Sequence, residues 1–184
     1  MPSFDLTGHH MVALSRPSLA ALRTALIRDA GPSAASYLQE AGYAGGETVF
    51  ASFRHWLASR GLPEPEELGV EEFEQHASAY FHDAGWGTLH IGSLRDAVAT
   101  LDSADWGEAD PDAGIDHPGC HLSTGMFADF FGRIADAQIA VLEVECRSMG
   151  DKRCRFLLGN HAVMSHVYEQ MGAGAGYEEA VESV

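Results

Sequence analysis

Residues 119–159 read GCHLSTGMFADFFGRIADAQIAVLEVECRSMGDKRCRFLLG, and within this stretch the apolar period changes once, from helical to alternating. Met126, Phe127, Phe130, Phe131 and Ile134 recur at helical spacings on one side, which predicts a helix from about Cys120 to Ala135. QIAVLEVE (138–145) and CRFLLG (154–159) then read as two strands, joined by a polar turn containing Gly150 and Asp151. A helix feeding a β-hairpin is the unit from which the rest of the chain is placed.

Downstream, a last helix is expected near 161–171, followed by a frayed Gly-Ala and acidic tail over 173–184. Upstream, DSADWGEADPDAGIDHPG (102–119) is rich in Asp, Gly and Pro and reads as a loop, while WGTLHIG (86–92) and AVATL (97–101) read as short strands. A helix is expected near 70–82. The run AASYLQEAGYAGGETVFASFRHWLAS is helical on both sides of Gly42, Gly45 and Gly46, which predicts two helical stretches separated by a close-packed bend. Pro17 suits the first turn of a helix reaching about Asp29, and HMVAL (10–14) reads as a short strand or lead-in. The order of helices, strands, helix, hairpin and helix defines an α+β fold rather than a doubly wound sheet. One domain is expected over 1–172, with a helical part to about residue 83 and a sheet-and-helix part from 84 onward.

The net charge of -16, with a single lysine, excludes a phosphate-backbone binder, which needs a basic footprint. No stretch approaches the roughly 20 continuous apolar residues of a membrane span. The N-terminus, Met-Pro-Ser-Phe-Asp, has neither a basic leader nor an apolar run, so a cytoplasmic protein is expected. Arg147, Lys152, Arg153 and Arg155 gather four of the eleven cations into nine residues, which predicts an anionic neighbour.

Three cysteines in a reducing compartment point to metal binding or a reactive thiol rather than to disulfides. Cys146 and Cys154 flank the hairpin turn with seven residues between them, and Cys120 opens the preceding helix, so three soft donors can converge. Zinc takes four thiolate, imidazole or carboxylate donors in a tetrahedron. Glu143, Glu145, His117, His121 and Asp151 all compete for the fourth position, and spacing does not choose among them. In a regular strand residues 143 and 146 point to opposite faces, so Glu143 can join Cys146 only where the strand twists or ends. Three thiolates and a carboxylate on a divalent ion would carry a net charge near -2, which the cations at 147–155 are placed to offset.

The string 119–159 resembles the 4-vinyl reductase domain family. The resemblance rests on a cysteine opening a helix, a glycine a few residues on, a strand ending E-x-x-C, a Gly-Asp turn and a further cysteine before apolar residues. Here these are Cys120, Gly125, Glu143, Cys146, Gly150, Asp151 and Cys154. The same domain is similar to the sensory module of phenol-responsive bacterial transcription activators. The resemblance therefore implies a zinc site of Cys120, Glu143, Cys146 and Cys154, selecting Glu143 over Glu145. It also implies a ligand-binding fold shared with nitric-oxide sensor domains and Golgi-transport subunits, in which N-terminal helices pack on a small antiparallel sheet. AGYAGG (41–46) looks like the helix–glycine feature of these domains, and a homodimer is implied by analogy.

If all four residues ligate, the metal is structural, and a ligand pocket lies elsewhere. Trp86, His90, Trp106, Phe127, Phe130 and Phe131 are candidates for its wall, each with a competing role in the core. The expected function is a sensor or carrier of a small aromatic or hydrophobic compound, with any output delivered through a partner protein. The alternatives are an enzyme or accessory of tetrapyrrole metabolism, for which no G-x-G-x-x-G fingerprint follows a strand, and an assembly adaptor. A haem sensor ranks behind these, because none of the ten histidines has a distinguishing context.

Overall fold

Ser15 starts the first helix, its hydroxyl accepting the Ser18 N–H at 3.3 Å, with Pro17 in the first turn and Gly31 at φ 56° after the last. The computed structural model describes residues 11–95 and 97–184. Its helices are α1 (Arg16–Ala30), α2 (Ser33–Ala58), α3 (Val70–Asp83), α4 (His121–Ala135), α5 (His161–Gly172) and α6 (Tyr177–Glu182). The strands are β1 (His90–Arg95), β2 (Val98–Ser103), β3 (Ala140–Glu145) and β4 (Cys154–Gly159). All neighbouring strands are antiparallel, in the order β1-β2-β4-β3, which is the expected α+β class.

The period of two in the strands divides the core between the two faces of the sheet. Leu101, Phe156, Leu158 and Val141 face α2, α3 and α4, where Phe53, Tyr80, Phe81, Trp106, Phe127 and Phe130 are fully buried. Leu157 and Val98 face the other way, against Val163, Met164 and Val167 of α5 and Ala180 and Val181 of α6.

Two expectations are corrected here, and part of a third. Residues 33–58 form one uninterrupted helix, not two joined by a bend. The glycines serve packing instead: a Cβ on Gly42 would fall inside the Leu122 carbonyl, one on Gly125 would fall inside the Gln39 carbonyl, and one on Gly46 would lie 2.5 Å from Asp129 Cβ. Their bare backbones let α2 and α4 approach far more closely than side chains allow, offsetting the roughly 1 kcal/mol each glycine costs a helix. The acidic tail is not frayed over Tyr177–Glu182, because α6 buries Ala180 and Val181. Its Tyr177 hydroxyl reaches Glu145 (2.5 Å) and Arg155 (3.1 Å). Residues 11–14 take no strand, and His10 lies outside the described residues.

Candidate metal centre

A bulge in β3 builds the site. The register against β4 slips between Glu143, which pairs Phe156, and Glu145, which pairs Arg155. The extra residue turns Glu145 onto the α5–α6 face and leaves Glu143 on the α4 face, where Cys154 also points and where Cys146 arrives as the strand ends. Cys120 meets them from the cap position of α4. One ligand atom from each of Cys120, Glu143, Cys146 and Cys154 lies within 4.8 Å of the others, and all are buried. Glu145, His117, His121 and Asp151 lie outside this group.

The donors fit a metal on three counts. Cys120 Sγ stands 3.9 Å from both Cys146 Sγ and Cys154 Sγ. That is too long for a disulfide and close to the edge of about 3.8 Å in a tetrahedron with metal–sulfur bonds of about 2.3 Å. Glu143 Oε2 accepts the Cys120 N–H at 2.7 Å, but its other oxygen is buried with no hydrogen-bond partner. A buried acceptor left without a partner costs about 1–3 kcal/mol, which a cation removes. Finally, the metal-free cluster is electrostatically frustrated. Burial raises Cys120 and pushes Glu143 up to about 9, helped by the Cys146 sulfur. Cys146 is lowered, because the thiols of Cys120 and Cys154 donate to its thiolate, while Cys154 is raised by holding the proton it shares with Cys146 and by burial. A divalent ion reverses all of these penalties together.

Backbone groups fix the surroundings. Asp151 Oδ2 accepts the Cys146 N–H at 2.8 Å, and the N–H groups of Gly119 and Arg147 donate to the sulfurs of Cys146 and Cys154. Ser148, fully buried, ties the 104–119 loop to the hairpin turn through Asp110 N–H (2.9 Å) and Ile115 N–H (3.1 Å). The cations do not play the expected part. Arg155 forks onto Asp102 at 2.7 and 2.6 Å, and Arg153 onto Glu145 at 2.8 and 3.0 Å, on the far face of the sheet.

The six candidate pocket residues separate. Trp106, Phe127, Phe130 and Phe131 interlock in the core, with Trp106–Phe127 centroids 5.0 Å apart. Trp86 stacks on Trp106 at 5.5 Å and 20°, and borders an apolar cleft of about 330 Å³ with Met11, Leu14, Leu19, Val49 and Leu122. His90 joins neither group: β1 is an edge strand, and the imidazole is 78% exposed beside Glu74.

Three functional neighbours carry no sequence signal of their own. Glu108, 3% exposed, accepts the N–H of Leu122 (3.0 Å) and Ser123 (2.8 Å) and the Ser123 hydroxyl, so it caps α4 from a distant loop. Burial pushes its carboxyl up to about 6 against these hydrogen bonds. Ser123 Oγ also accepts the Trp106 indole N–H at 2.7 Å. Arg23, 3% exposed, donates to the carbonyls of Glu108 (2.8 Å) and Gly119 (3.3 Å).

With this geometry in place, the comparisons with known proteins agree with the sequence resemblance. Residues 111–160, which hold all four donors, match the family model of the 4-vinyl reductase domain. No curated protein matches the chain. Among solved structures, the phenol-responsive sensory domain of the transcription activator PoxR, solved with phenol, superposes with a TM-score of 0.61 at 17% identity, over 81% of this chain and 76% of that one. A trafficking protein particle complex subunit 3 from Naegleria fowleri, covalently bound to palmitic acid, superposes at 0.56 with 9% identity, over 78% and 91%. A vinyl-4-reductase family protein from Methanocaldococcus jannaschii gives 0.47 at 18% identity, over 64% and 66%. The first two share this fold. Among the described residues no helix is long and apolar enough to cross a membrane.

Proposed function

We propose that this chain is a sensor or carrier domain for a small aromatic or otherwise hydrophobic compound, braced by one structural zinc ion on Cys120, Glu143, Cys146 and Cys154. The observation that carries the zinc reading is the convergence of three buried sulfurs and an unpartnered carboxylate oxygen at tetrahedral spacing. Three thiolates and one carboxylate suit zinc among common divalent ions, and four protein donors leave no position open for water or substrate. The ion therefore holds architecture: it ties the first turn of α4 to both strands of the β3–β4 hairpin.

Ligand chemistry then belongs to another place, and the cleft beside Trp86 has the apolar wall and the volume for a small aromatic molecule. The fold shared with a domain that responds to phenol supports this class of ligand. On this reading the domain works in the cytoplasm as a homodimer and passes its signal or cargo to a partner protein. Calorimetric titration with phenol tests the ligand reading. Saturable binding that Trp86→Ala weakens at least tenfold is expected, whereas binding unaffected by that change places the ligand elsewhere. Native mass spectrometry of protein from its own host addresses the same question, since a retained hydrophobic molecule would mark a carrier.

A further inference from the structure

The cleft and the metal centre share a boundary. Trp86 walls the cleft and stacks on Trp106, and the Trp86 carbonyl accepts the Gly107 N–H at 2.5 Å. Trp106 donates its indole N–H to Ser123 Oγ, and Ser123 donates both its hydroxyl and its N–H to Glu108. The other oxygen of Glu108 accepts the N–H of Leu122, itself a wall of the cleft and two residues beyond the ligand Cys120. Arg23 closes the ring by joining the Glu108 carbonyl to that of Gly119, the residue before Cys120. Every polar group of this chain is buried or half-buried, so none exchanges its partner for water without opening the loop.

From this ring we infer that Trp106, Ser123 and Glu108 couple the two places: a small aromatic molecule seated against Trp86 tightens the hold on the ion, and Glu108 is the positioning residue through which it does so. The cleft half of the inference rests on the ligand reading above. The sign follows from the packing. A ligand wedged between Trp86 and Leu122 restrains the 105–108 loop and the first turn of α4, which carries Cys120, and release of the ion requires that turn to move away from the hairpin. Coupling between binding sites is reciprocal, so a loaded metal centre raises affinity for the ligand by the same factor.

The test uses the zinc-loaded protein and follows transfer of zinc to excess 4-(2-pyridylazo)resorcinol, with and without saturating phenol. Phenol is expected to slow transfer about fivefold or more, the lower end of ordinary site–site coupling. In Trp106→Phe, which keeps the stacked ring and removes the N–H, calorimetry should still show phenol bound while the slowing disappears. Equal slowing in that variant, or bound phenol with an unchanged transfer rate in the parent protein, overturns the coupling. Absence of phenol binding refutes the ligand reading instead, and the metal half is then judged without ligand. Glu108→Gln should release zinc several-fold faster and shift the sulfur-to-metal charge-transfer band of the cobalt-substituted protein, with Glu108→Asp partly restoring both. An unshifted band and an unchanged rate rule out a positioning role. Ser123→Ala repeats that comparison should the glutamine variant not fold.

Discussion

Replacing Glu143 by glutamine should move the stability of the protein in opposite directions depending on whether metal is present. In the metal-free fold the carboxyl is held near 9 rather than 4.5, so at pH 7 it stays protonated, while the unfolded chain carries it ionised. Keeping that proton over 2.5 pH units costs at most about 3 kcal/mol, from 1.36 kcal/mol per unit. Glutamine has the shape and donor pattern of the protonated acid without that cost. Its oxygen can accept the Cys120 N–H, and its amide can donate toward the Cys146 sulfur. Urea unfolding in EDTA should therefore show Glu143→Gln stabilised by about 1–3 kcal/mol. With zinc bound the variant lacks one of four ligands, and competition against a chelator should show affinity at least about 100-fold weaker, beyond the 10–100-fold typical of losing an outer-shell partner. A variant that is destabilised in EDTA and yet binds zinc as tightly as the parent would refute the reasoning, since Glu143 would then be a structural hydrogen-bond acceptor only.

Other consequences follow from the same geometry. Because the Glu143 carboxyl is raised, the EDTA-treated fold should lose stability as pH climbs from about 4.5 toward about 9, while the loaded fold should lose zinc as pH falls and the ligands take up protons; chemical unfolding across that range checks both signs. Gly125→Ala forces a methyl into the Gln39 carbonyl and should cost about 3 kcal/mol or separate the helices, whereas Gly45→Ala, which meets open space in the same long helix, should stabilise by up to about 1 kcal/mol in thermal melts. Tyr177→Phe removes the hydroxyl shared by Glu145 and Arg155 and should cost about 1 kcal/mol, with hydrogen exchange rising in Tyr177–Glu182.

The parts legible in the sequence were those with a local cause. The apolar side of α4, the alternation in β3 and β4 and the turn at Gly150 placed the helix–hairpin unit within a residue or two. Three cysteines at its corners marked a centre. Glu143 was a different case. Strand periodicity argued against it, resemblance alone selected it, and the physical reason is a bulge that no residue type announces. Glycines misled because the same missing side chain permits a bend or a close helix crossing, and only the position of α4 decides between them. Glu108 and Arg23 were invisible for a related reason: their partners lie 14 and 15 residues away for the one, and 85 and 96 for the other, so a carboxylate in an acidic loop and an arginine on a helix look like ordinary surface charge. The arginines at 153 and 155 were read correctly as seeking anions, but the sheet face on which they lie put Asp102 and Glu145 within reach and the metal site out of it.

X-ray absorption at the zinc edge, on protein purified without added metal, examines the metal centre most directly. One zinc per chain with three sulfur neighbours near 2.3 Å and one oxygen near 2.0–2.2 Å is the expected result. Protein that is metal-free yet fully folded, or a shell containing a histidine nitrogen or a bound water in place of the carboxylate, would contradict it.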